Sequence, residues 1–545
     1  MALRIGIDVG GTNTDAVLMD DLRVISKIKT PTTEDVTGGI TAALKHVLES
    51  SGTATGAIAA VMIGTTHFTN AVVERRRLKT TATIRLGLPA TAALPPMVDW
   101  PEDLKEVING GAYLVHGGYE FDGREISPFD VAEIRGVAEK IAADGVTAVA
   151  ISSVFSPVNP DMEERAAEIV LSIVPGATVT RSSEIGRIGL LERENAAIVN
   201  SCLRSLASET VAAFRRAIAE MGITAPLFLT QNDGTLMNAD FAEQYPVLTF
   251  ASGPTNSMRG AAFLSGLKDA MVVDVGGTTS DVGALTHGFP REASVAVDIG
   301  GVRTNFRMPD TFSFGLGGGT MVLQDPLKIG PQSVGFRITQ KALVFGGDTL
   351  TTTDIAVAAG IAEIGDPSLV KHLDKALVEA ALARIHEMSE AAVDRMKTSA
   401  EAVPVIVVGG GSILIHKKLA GASEMIKPDH FEAANAVGAA IAQISGEVDR
   451  VYSLSGLSRD QALDHAKQEA SDKAVEAGAD PNSIQIVDVE DVPLAYLPGN
   501  ATRIRVKAVG DLNLNLSLAY LVSTMRAGTP VAFRLVAQKE HPSCG

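Results

Sequence analysis

The residues with the clearest chemical potential form a nine-residue pattern that occurs twice. Residues 7–15 read Ile-Asp-Val-Gly-Gly-Thr-Asn-Thr-Asp, and residues 273–281 read Val-Asp-Val-Gly-Gly-Thr-Thr-Ser-Asp. Glycines allow a sharp turn that brings backbone N–H groups onto phosphate oxygens, and the hydroxyl groups add donors. Asp8 and Asp274 each follow an apolar run, where a carboxylate is suited to hold Mg²⁺ directly or through water. The repeat therefore predicts phosphate and metal chemistry.

Two such loops can grip one triphosphate from opposite sides if two similar domains face each other across a cleft. One copy alone is equally typical of a plain strand-turn, but two matched copies with both acids retained favour phosphate binding. Neither loop is a Walker A motif or a Gly-x-Gly-x-x-Gly fingerprint. We expect Asp8 and Asp274 to be catalytic and to hold the metal. The residues expected to contact phosphate are Gly10, Gly11, Thr12, Thr14, Gly276, Gly277, Thr278 and Thr279.

The elements that must position these loops are buried strands alternating with helices. Short β-branched runs precede both loops, and a third run precedes Gly409, Gly410 and Gly411. Such runs ending at glycine are typical of buried strands that enter tight turns. Residues 192–220 and 367–396 are rich in Ala, Leu, Glu and Arg and predict long helices. The alternation predicts an α/β fold.

The chain is predicted to contain three regions. Residues 1–180 carry the first loop, and residues 181–450 carry the second loop and the third glycine cluster. Residues 451–545 change in character and predict a small α+β domain. In that last region, Ser458 and Gln461 form a capping-box pattern that opens a helix.

Composition excludes several classes of function. The 545 residues contain 47 Lys and Arg against 64 Asp and Glu, which gives a net charge of −17, and this field repels nucleic acid. Two cysteines are too few for a disulfide framework or a Cys-based zinc site. No run approaches 18 apolar residues, so no membrane span is predicted. We expect a cytoplasmic protein with no nucleic-acid or membrane partner.

The paired loops resemble the phosphate-1 and phosphate-2 loops of the actin, Hsp70 and sugar-kinase ATPase superfamily. In that superfamily a later glycine-rich strand end binds adenosine, and residues 405–412 (Val-Ile-Val-Val-Gly-Gly-Gly-Ser) are similar to it. The resemblance implies a two-lobed, actin-like (ribonuclease H-like) core that binds ATP and Mg²⁺. It also implies that Gly409, Gly410 and Gly411 contact the nucleotide; an ordinary strand-to-helix turn is the alternative.

Further stretches resemble the hydantoinase A and 5-oxoprolinase family, in the same order over residues 3–440. Residues 64–75 read Gly-Thr-Thr-His-Phe-Thr-Asn-Ala-Val-Val-Glu-Arg, and residues 182–195 contain a Ser-Ser-Glu segment before an Arg-Glu-rich helix. Ser252-Gly253-Pro254 and Gly317-Gly318-Gly319-Thr320 also match. The family's Asp-x-His is replaced by Asp310-Thr311-Phe312, residues 338–347 depart from its pattern, and the chain is shorter than typical members. The resemblance therefore implies nucleotide binding more strongly than it implies a particular substrate.

The resemblance implies ATP-dependent opening of a cyclic amide (a hydantoin, lactam or oxoproline) through phosphoryl activation. It also implies a partner, a second hydantoinase B-like or other enzyme subunit, and homo-oligomers are compatible with it. A small-molecule kinase and an ATP-driven activator or reactivase of another enzyme are the alternatives. Neutral side chains suit an uncharged amide, so a substrate pocket or, equally, a helix N-terminus is predicted for Thr65, Thr66, Thr69 and Asn70.

Other chemically capable residues have ordinary structural roles as their main interpretation. His67 could act as a base, but a lone histidine is more often structural. Glu192, Arg193 and Glu194 lie at a predicted helix start, where acids favour the helix dipole, or form a charged pair in the cleft. Cys202 lies in an apolar helix and is predicted to be a small core residue.

Overall fold

The computed structural model describes residues 3–11, 13–32, 36–293, 296–494 and 500–513, in which strands and helices alternate along the chain. The strands are β1 (Leu3–Val9), β2 (Asn13–Asp20), β3 (Arg23–Pro31), β4 (Ile58–Thr65), β5 (Thr81–Leu88), β6 (Asn109–His116), β7 (Ala148–Ser153), β8 (Thr178–Arg181), β9 (Leu227–Thr230), β10 (Thr235–Asn238), β11 (Ala270–Val275), β12 (Ser280–Thr286), β13 (Phe289–Pro290), β14 (Val297–Ile299), β15 (Val302–Thr304), β16 (Thr311–Phe314), β17 (Thr320–Gln324), β18 (Leu327–Ser333), β19 (Val403–Val408), β20 (Ala422–Ile426), β21 (Gln443–Tyr452), β22 (Gln485–Pro493) and β23 (Thr502–Gly510).

The α-helices fill the segments between these strands. They are α1 (Val36–Ser51), α2 (His67–Glu74), α3 (Glu102–Ile108), α4 (Val131–Ala143), α5 (Asp161–Ile173), α6 (Leu190–Glu220), α7 (Ala239–Gln244), α8 (Ser252–Ser265), α9 (Ile338–Lys341), α10 (Thr352–Ala358), α11 (Lys375–Met396), α12 (Ala434–Ala440) and α13 (Arg459–Glu476). The two predicted long helices are present as α6 and α11. In the described part of the chain, none of the helices is long and apolar enough to cross a membrane.

Two large mixed sheets share one internal topology. The first has the order β22-β23-β21-β10-β9-β4-β1-β2-β3, and the second has the order β13-β12-β11-β19-β20 with β16 also paired to β12. In each, a first strand pairs with an antiparallel hairpin partner on one side and with a parallel strand on the other. This repeated topology confirms the predicted α/β fold with a two-lobed actin-like core.

Helices pack on both faces of the sheets because the central strands are apolar on both sides. One core lies between the first sheet and helices α1 and α6, and another lies between the second sheet and α11. The separate sheet β6-β5-β7-β8 packs against α4 and α5. Its strands are all parallel, as expected for strands joined by helical connections.

The C-terminal region extends the first sheet. Among its described residues, which end at 513, strands β22 and β23 pair with each other, and β23 pairs with β21 along its whole length. Helix α13 begins with the predicted capping box of Ser458 and Gln461 and buries four alanines against this extension. Strands from 1–180, 181–450 and 451–545 thus lie in one sheet, and β21 crosses residue 451. The domain boundaries at these residues stay a prediction.

Candidate functional site

The two acidic glycine loops form matching β-hairpins. In the first, Asp8 lies opposite Asp15, and in the second, Asp274 lies opposite Asp281. Each hairpin is closed by the same backbone hydrogen bond three residues apart. The Gly10 N–H donates to the Asn13 carbonyl at 3.0 Å, and the Gly276 N–H donates to the Thr279 carbonyl at 2.9 Å. The sequence repeat is therefore also a structural repeat.

Both hairpins open onto one cavity of about 460 Å³. Its lining includes most of the residues predicted from the repeat and from the third glycine cluster. These lining residues are Asp8, Gly10, Gly11, Asp274, Gly276, Gly277, Thr278, Thr279, Gly409 and Gly410. Thr66 and Asn70, two of the four predicted substrate contacts, line the same cavity. The nucleotide and substrate assignments of these residues stay predictions.

Four other predicted residues are used elsewhere in the described structure. Thr14 is buried with its hydroxyl 3.3 Å from that of Thr32, and the Gly411 N–H donates to the Val275 carbonyl at 2.7 Å. The Thr65 hydroxyl accepts the His67 N–H at the start of α2, and the Thr69 hydroxyl donates to the Phe250 carbonyl. None of these four residues is among the described residues that line the cavity. Thr12 lies outside the described residues.

The carboxylate of Asp8 lines the cavity and has a raised pKa. It is 5% exposed, and burial, together with the neighbouring Asp15 carboxylate, raises its pKa to about 7. The Asn435 side-chain amide donates to Asp8 at 2.9 Å and to Asp15 at 3.0 Å, so one amide joins the two acids of the hairpin. A carboxylate that is buried without a cation of its own favours a divalent ion when one is present.

Asp274 is the corresponding group of the second hairpin. The Ser257 hydroxyl donates to its Oδ2 at 2.6 Å. Burial raises the pKa of Asp274, while the Ser257 hydrogen bond and the charge of Lys29 oppose this shift. Burial likewise raises the pKa of Asp281 to about 6, although that carboxylate accepts a hydrogen bond from Ser313.

Helices α8 and α12 supply the side chains that hold these carboxylates in place. Helix α8 supplies Asn256 and Ser257, and α12 supplies Asn435. The two helices cross at backbone contact: a Cβ on Gly260 would overlap the Ala434 carbonyl, and a Cβ on Gly438 would overlap the Asn256 carbonyl. The crossing therefore requires glycine at both positions.

Two further glycine clusters support the second hairpin. Gly409 has φ +85°, and a Cβ there would overlap the Asp274 carboxylate. On the other side, the N–H groups of Gly318 and Gly319 donate to the Gly276 and Gly277 carbonyls at 3.1 and 2.7 Å. These hydrogen bonds occupy the Gly276 and Gly277 carbonyls and hold the loop backbone in place.

Sequence reasoning missed several residues that contact the acids. Asp15, Lys29, Ser257 and Asn435 all line the cavity, and Asn256 reaches Asp8 from α8. The repeat contains Asp15 as its second acid, which is a signal for that residue. Lys29, Ser257 and the two asparagines occur in stretches without a chemical motif, so their roles depend on how distant elements pack.

The remaining candidates lie elsewhere. Glu194 forms a buried ion pair with Arg85, with 2.7 Å from the Arg85 Nε to the carboxylate, and it also accepts from Ser152. Burial and the charge of Arg77 lower the pKa of His67, which is not part of the cavity lining. Cys202 is fully buried in α6, and burial raises the pKa of its thiol, as expected for a core residue.

The cavity suits a nucleoside triphosphate with a magnesium ion. A Cβ on Gly11 would meet no atom within 4 Å, so the tip of the first loop is open to a ligand. No group of three or more acidic, histidine or cysteine side chains gathers as a metal cage in the described parts of the chain. Mg²⁺ keeps several waters and usually takes one or two carboxylates plus phosphate oxygens. Asp8 and Asp274 fit that requirement.

Family models match most of the chain. The N-terminal region of hydantoinase/oxoprolinase matches residues 4–174, and the hydantoinase/oxoprolinase model matches residues 193–403. The two hairpins lie one in each match. The chain belongs to the hydantoinase/oxoprolinase family.

Two individual relatives have low sequence identity to this chain. The caprolactamase subunit alpha of Pseudomonas jessenii is 28% identical over 385 residues, which cover 66% of this chain and 54% of that protein. The acetophenone carboxylase gamma subunit of Aromatoleum aromaticum is 26% identical over 404 residues, with 65% and 53% covered. The matches thus span about half the length of these relatives. The crystal structure of the ATP-dependent caprolactamase from Pseudomonas jessenii has the same fold (TM-score 0.75, 19% identity, 93% of this chain and 87% of that chain).

Proposed function

We propose that this chain is the ATP-using subunit of an enzyme that opens a cyclic amide after phosphorylating it. The observation that carries the proposal is the pair of matched hairpins that place Asp8 and Asp274 on one cavity. Two acidic glycine turns facing one space suit a triphosphate and its magnesium ion. Membership of the hydantoinase/oxoprolinase family and the likeness to caprolactamase subunit alpha support a cyclic amide as the second substrate.

In this proposal each part of the cavity has one task. Asp8 and Asp274 hold Mg²⁺, which neutralises charge on the phosphates. The backbone N–H groups of the glycine turns that do not close the hairpins, with Thr278 and Thr279, bind phosphate oxygens, and Gly409 and Gly410 contact the nucleotide. Thr66 and Asn70 are left to contact the cyclic amide, since the hydroxyls of Thr65 and Thr69 are engaged within the protein.

Phosphorylation solves the chemical problem of amide hydrolysis. Resonance makes the amide carbon a poor electrophile, and nitrogen is a poor leaving group. Transfer of the γ-phosphoryl group forms a bond from phosphorus to the amide oxygen and breaks the bond to ADP. Water then adds to the activated carbon, the ring C–N bond breaks as nitrogen takes a proton, and a second water releases phosphate from the acyl phosphate. The amide, ATP and two waters thus become the ring-opened amino acid, ADP and phosphate.

A ketone is a second candidate substrate. The relative from Aromatoleum aromaticum carries the name of an acetophenone carboxylase subunit, and a carbonyl oxygen can accept a phosphoryl group in either compound class. A small-molecule kinase and an ATP-driven activator of another enzyme are further alternatives. The products distinguish all four.

The test is ATP hydrolysis by the purified chain, alone and with a co-expressed partner subunit, against a panel of lactams, hydantoins, oxoproline and simple ketones. We expect one cyclic amide to stimulate release of ADP and phosphate and to yield a ring-opened product. A carboxylated ketone, or a phosphorylated substrate that accumulates, would replace the cyclic amide with the corresponding alternative. Nucleotide turnover without a chemical product would indicate an activator.

A further inference from the structure

The cavity has more acidic than basic side chains in its described lining, although the proposed ligand is an anionic nucleotide. Within the described lining, the acidic side chains are Asp8, Asp15, Asp274 and Glu432, and the cationic one is Lys29. Lys27, which is not part of this lining, pairs with Glu432, but the three aspartates remain, and like charges at close range disfavour binding of a triphosphate. A cation within the cavity therefore has more effect here than it would in a neutral site.

Lys29 lies between the first hairpin and the third glycine cluster. It stands on β3 directly opposite Asp15, and its Nζ is 2.7 Å from the Asp15 Oδ2. Its side chain also approaches the third glycine cluster, because a Cβ on Gly410 would be 3.9 Å from the Lys29 Cε. The side chain is 36% exposed, so a ligand in the cavity can reach it.

The ammonium group retains donors for a ligand. Lysine has three N–H donors, and the described structure gives Lys29 one hydrogen bond, to Asp15. Its charge also lowers the pKa of Asp274 on the opposite hairpin, against the effect of burial. The field of Lys29 therefore reaches both sides of the cavity.

The second hairpin shows that the fold does not require this lysine. In the first sheet the cross-strand order is Asp8, Asp15, Lys29, and in the second sheet it is Asp274, Asp281, Ser313. Serine thus occupies the position equivalent to lysine and donates a hydrogen bond to Asp281. Because a hydroxyl is sufficient to satisfy the acid of one hairpin, neutralising an acid does not explain the lysine in the other.

We propose that Lys29 contacts the terminal phosphates of the bound nucleotide, donating to phosphoryl oxygens with the N–H groups that Asp15 does not use. The proposal rests on the nucleotide site of the proposed function and adds a residue to it. Asp15 then holds the lysine in position, and Lys29 supplies positive charge where the transferred phosphoryl group needs it. The competing explanation is that Lys29 only neutralises Asp15.

The experiment is a double-mutant cycle that measures nucleotide affinity by calorimetry with Mg²⁺. The variants are Lys29→Met, Asp15→Asn and the two combined, with Arg23→Met as a control that removes an exposed charge from the same strand. The ligands are a non-hydrolysable ATP analogue and AMP. We expect Lys29→Met to weaken binding of the ATP analogue by about tenfold or more, since charge-assisted hydrogen bonds to phosphate are strong. Its affinity for AMP, and both affinities of the Arg23→Met control, should stay within about twofold of the wild type.

The combined variant decides between the explanations. If Lys29 contacts phosphate, Asp15→Asn does not restore triphosphate affinity to the Lys29→Met protein. Wild-type affinity in the combined variant, or in Lys29→Met itself, would overturn the proposal. An unaltered chain that binds no nucleotide would overturn the site as a whole. Nucleotide binding with the expected Lys29 effect but no turnover of cyclic amides would overturn only the proposed substrate.

Discussion

Asp274 is the residue whose removal best separates chemistry from folding. Its carboxylate accepts from Ser257 and lines the cavity. We expect Asp274→Asn to lower ATP turnover by about 10²–10³-fold, because an amide has the same shape as a carboxylate but no charge for the metal. The melting temperature of the variant should stay within about 2 °C of the wild type. Asp348→Asn, at an exposed position outside the cavity, is the matched control. Full ATPase activity in Asp274→Asn would show that Asp274 does not position the metal.

The pKa of Asp8 predicts a pH dependence of stability. Its folded-state pKa of about 7 exceeds the ordinary value of 3.8, so between these pH values the folded chain binds the proton more tightly than the unfolded chain. The free energy of unfolding therefore falls as pH rises through that range. We expect Asp8→Asn to remove this loss of stability. Relative to the wild type, the melting temperature of the nucleotide-free variant then rises by about 2 °C more at pH 8 than at pH 5.

Thermal unfolding of both proteins in matched buffers measures this pH effect. Loss of a hydrogen bond to the Asp8 carboxylate would change the melting temperature equally at pH 5 and pH 8. The difference between the two pH values therefore reports only the ionisation of Asp8. Parallel pH curves for the two proteins would contradict the assigned burial of charge at Asp8.

At the scale of elements, the crossing of α8 and α12 joins the two halves of the site. Gly438 allows the Asn256 carbonyl to approach, and the same helices carry Ser257 and Asn435 to the acids. We expect Gly438→Ala to lower the free energy of unfolding by about 1–3 kcal/mol because the helices must separate, and to weaken nucleotide binding. Denaturant unfolding measures the first effect, and calorimetry measures the second.

A glycine elsewhere provides the control for that crossing. Gly136 lies within α4, and a Cβ there would meet no atom within 4 Å. Gly136→Ala is expected to be neutral or to stabilise the chain by up to about 1 kcal/mol, since alanine favours helix. Equal effects of the two substitutions would mean that the close crossing does not limit stability.

At the scale of the whole molecule, the described lining of the cavity contains carboxylates, of which the proposed function assigns Asp8 and Asp274 to the metal, but no histidine to activate water. His67 is outside the lining, and Phe312, where the sequence resemblance led us to expect a histidine, stacks beside Phe314 on β16. We expect the isolated chain to hydrolyse ATP slowly and to give almost no ring-opened product, and a partner subunit to restore product formation. An activated amide needs shielding from bulk water until the correct group attacks.

Product assays with ATP, Mg²⁺ and a panel of cyclic amides test this requirement for a partner. The control is the chain with Asp274→Asn mixed with the same partner, which separates activity of the complex from activity of the partner alone. Ring-opened product in stoichiometric amount from the chain alone would contradict the prediction.

The sequence by itself determined the local parts of this protein. The repeated Asp-x-Gly-Gly pattern specified both hairpins, because glycine, a β-branched strand and a polar turn act over a few residues. The capping box at Ser458 likewise identified the start of α13. The order of motifs along the chain identified the family and the two-lobed core, since chain order constrains topology.

Only the tertiary structure decided which side chains meet at the acids. Asn435 is 427 residues from Asp8, and Asn256 is 248 residues from it, yet both donate to its carboxylate. Lys29 reaches the cavity because β3 pairs in register with β2. The hydroxyls of Thr65 and Thr69 form hydrogen bonds with backbone groups instead of lining the cavity. A side chain's partners depend on packing between distant elements, which no local pattern encodes.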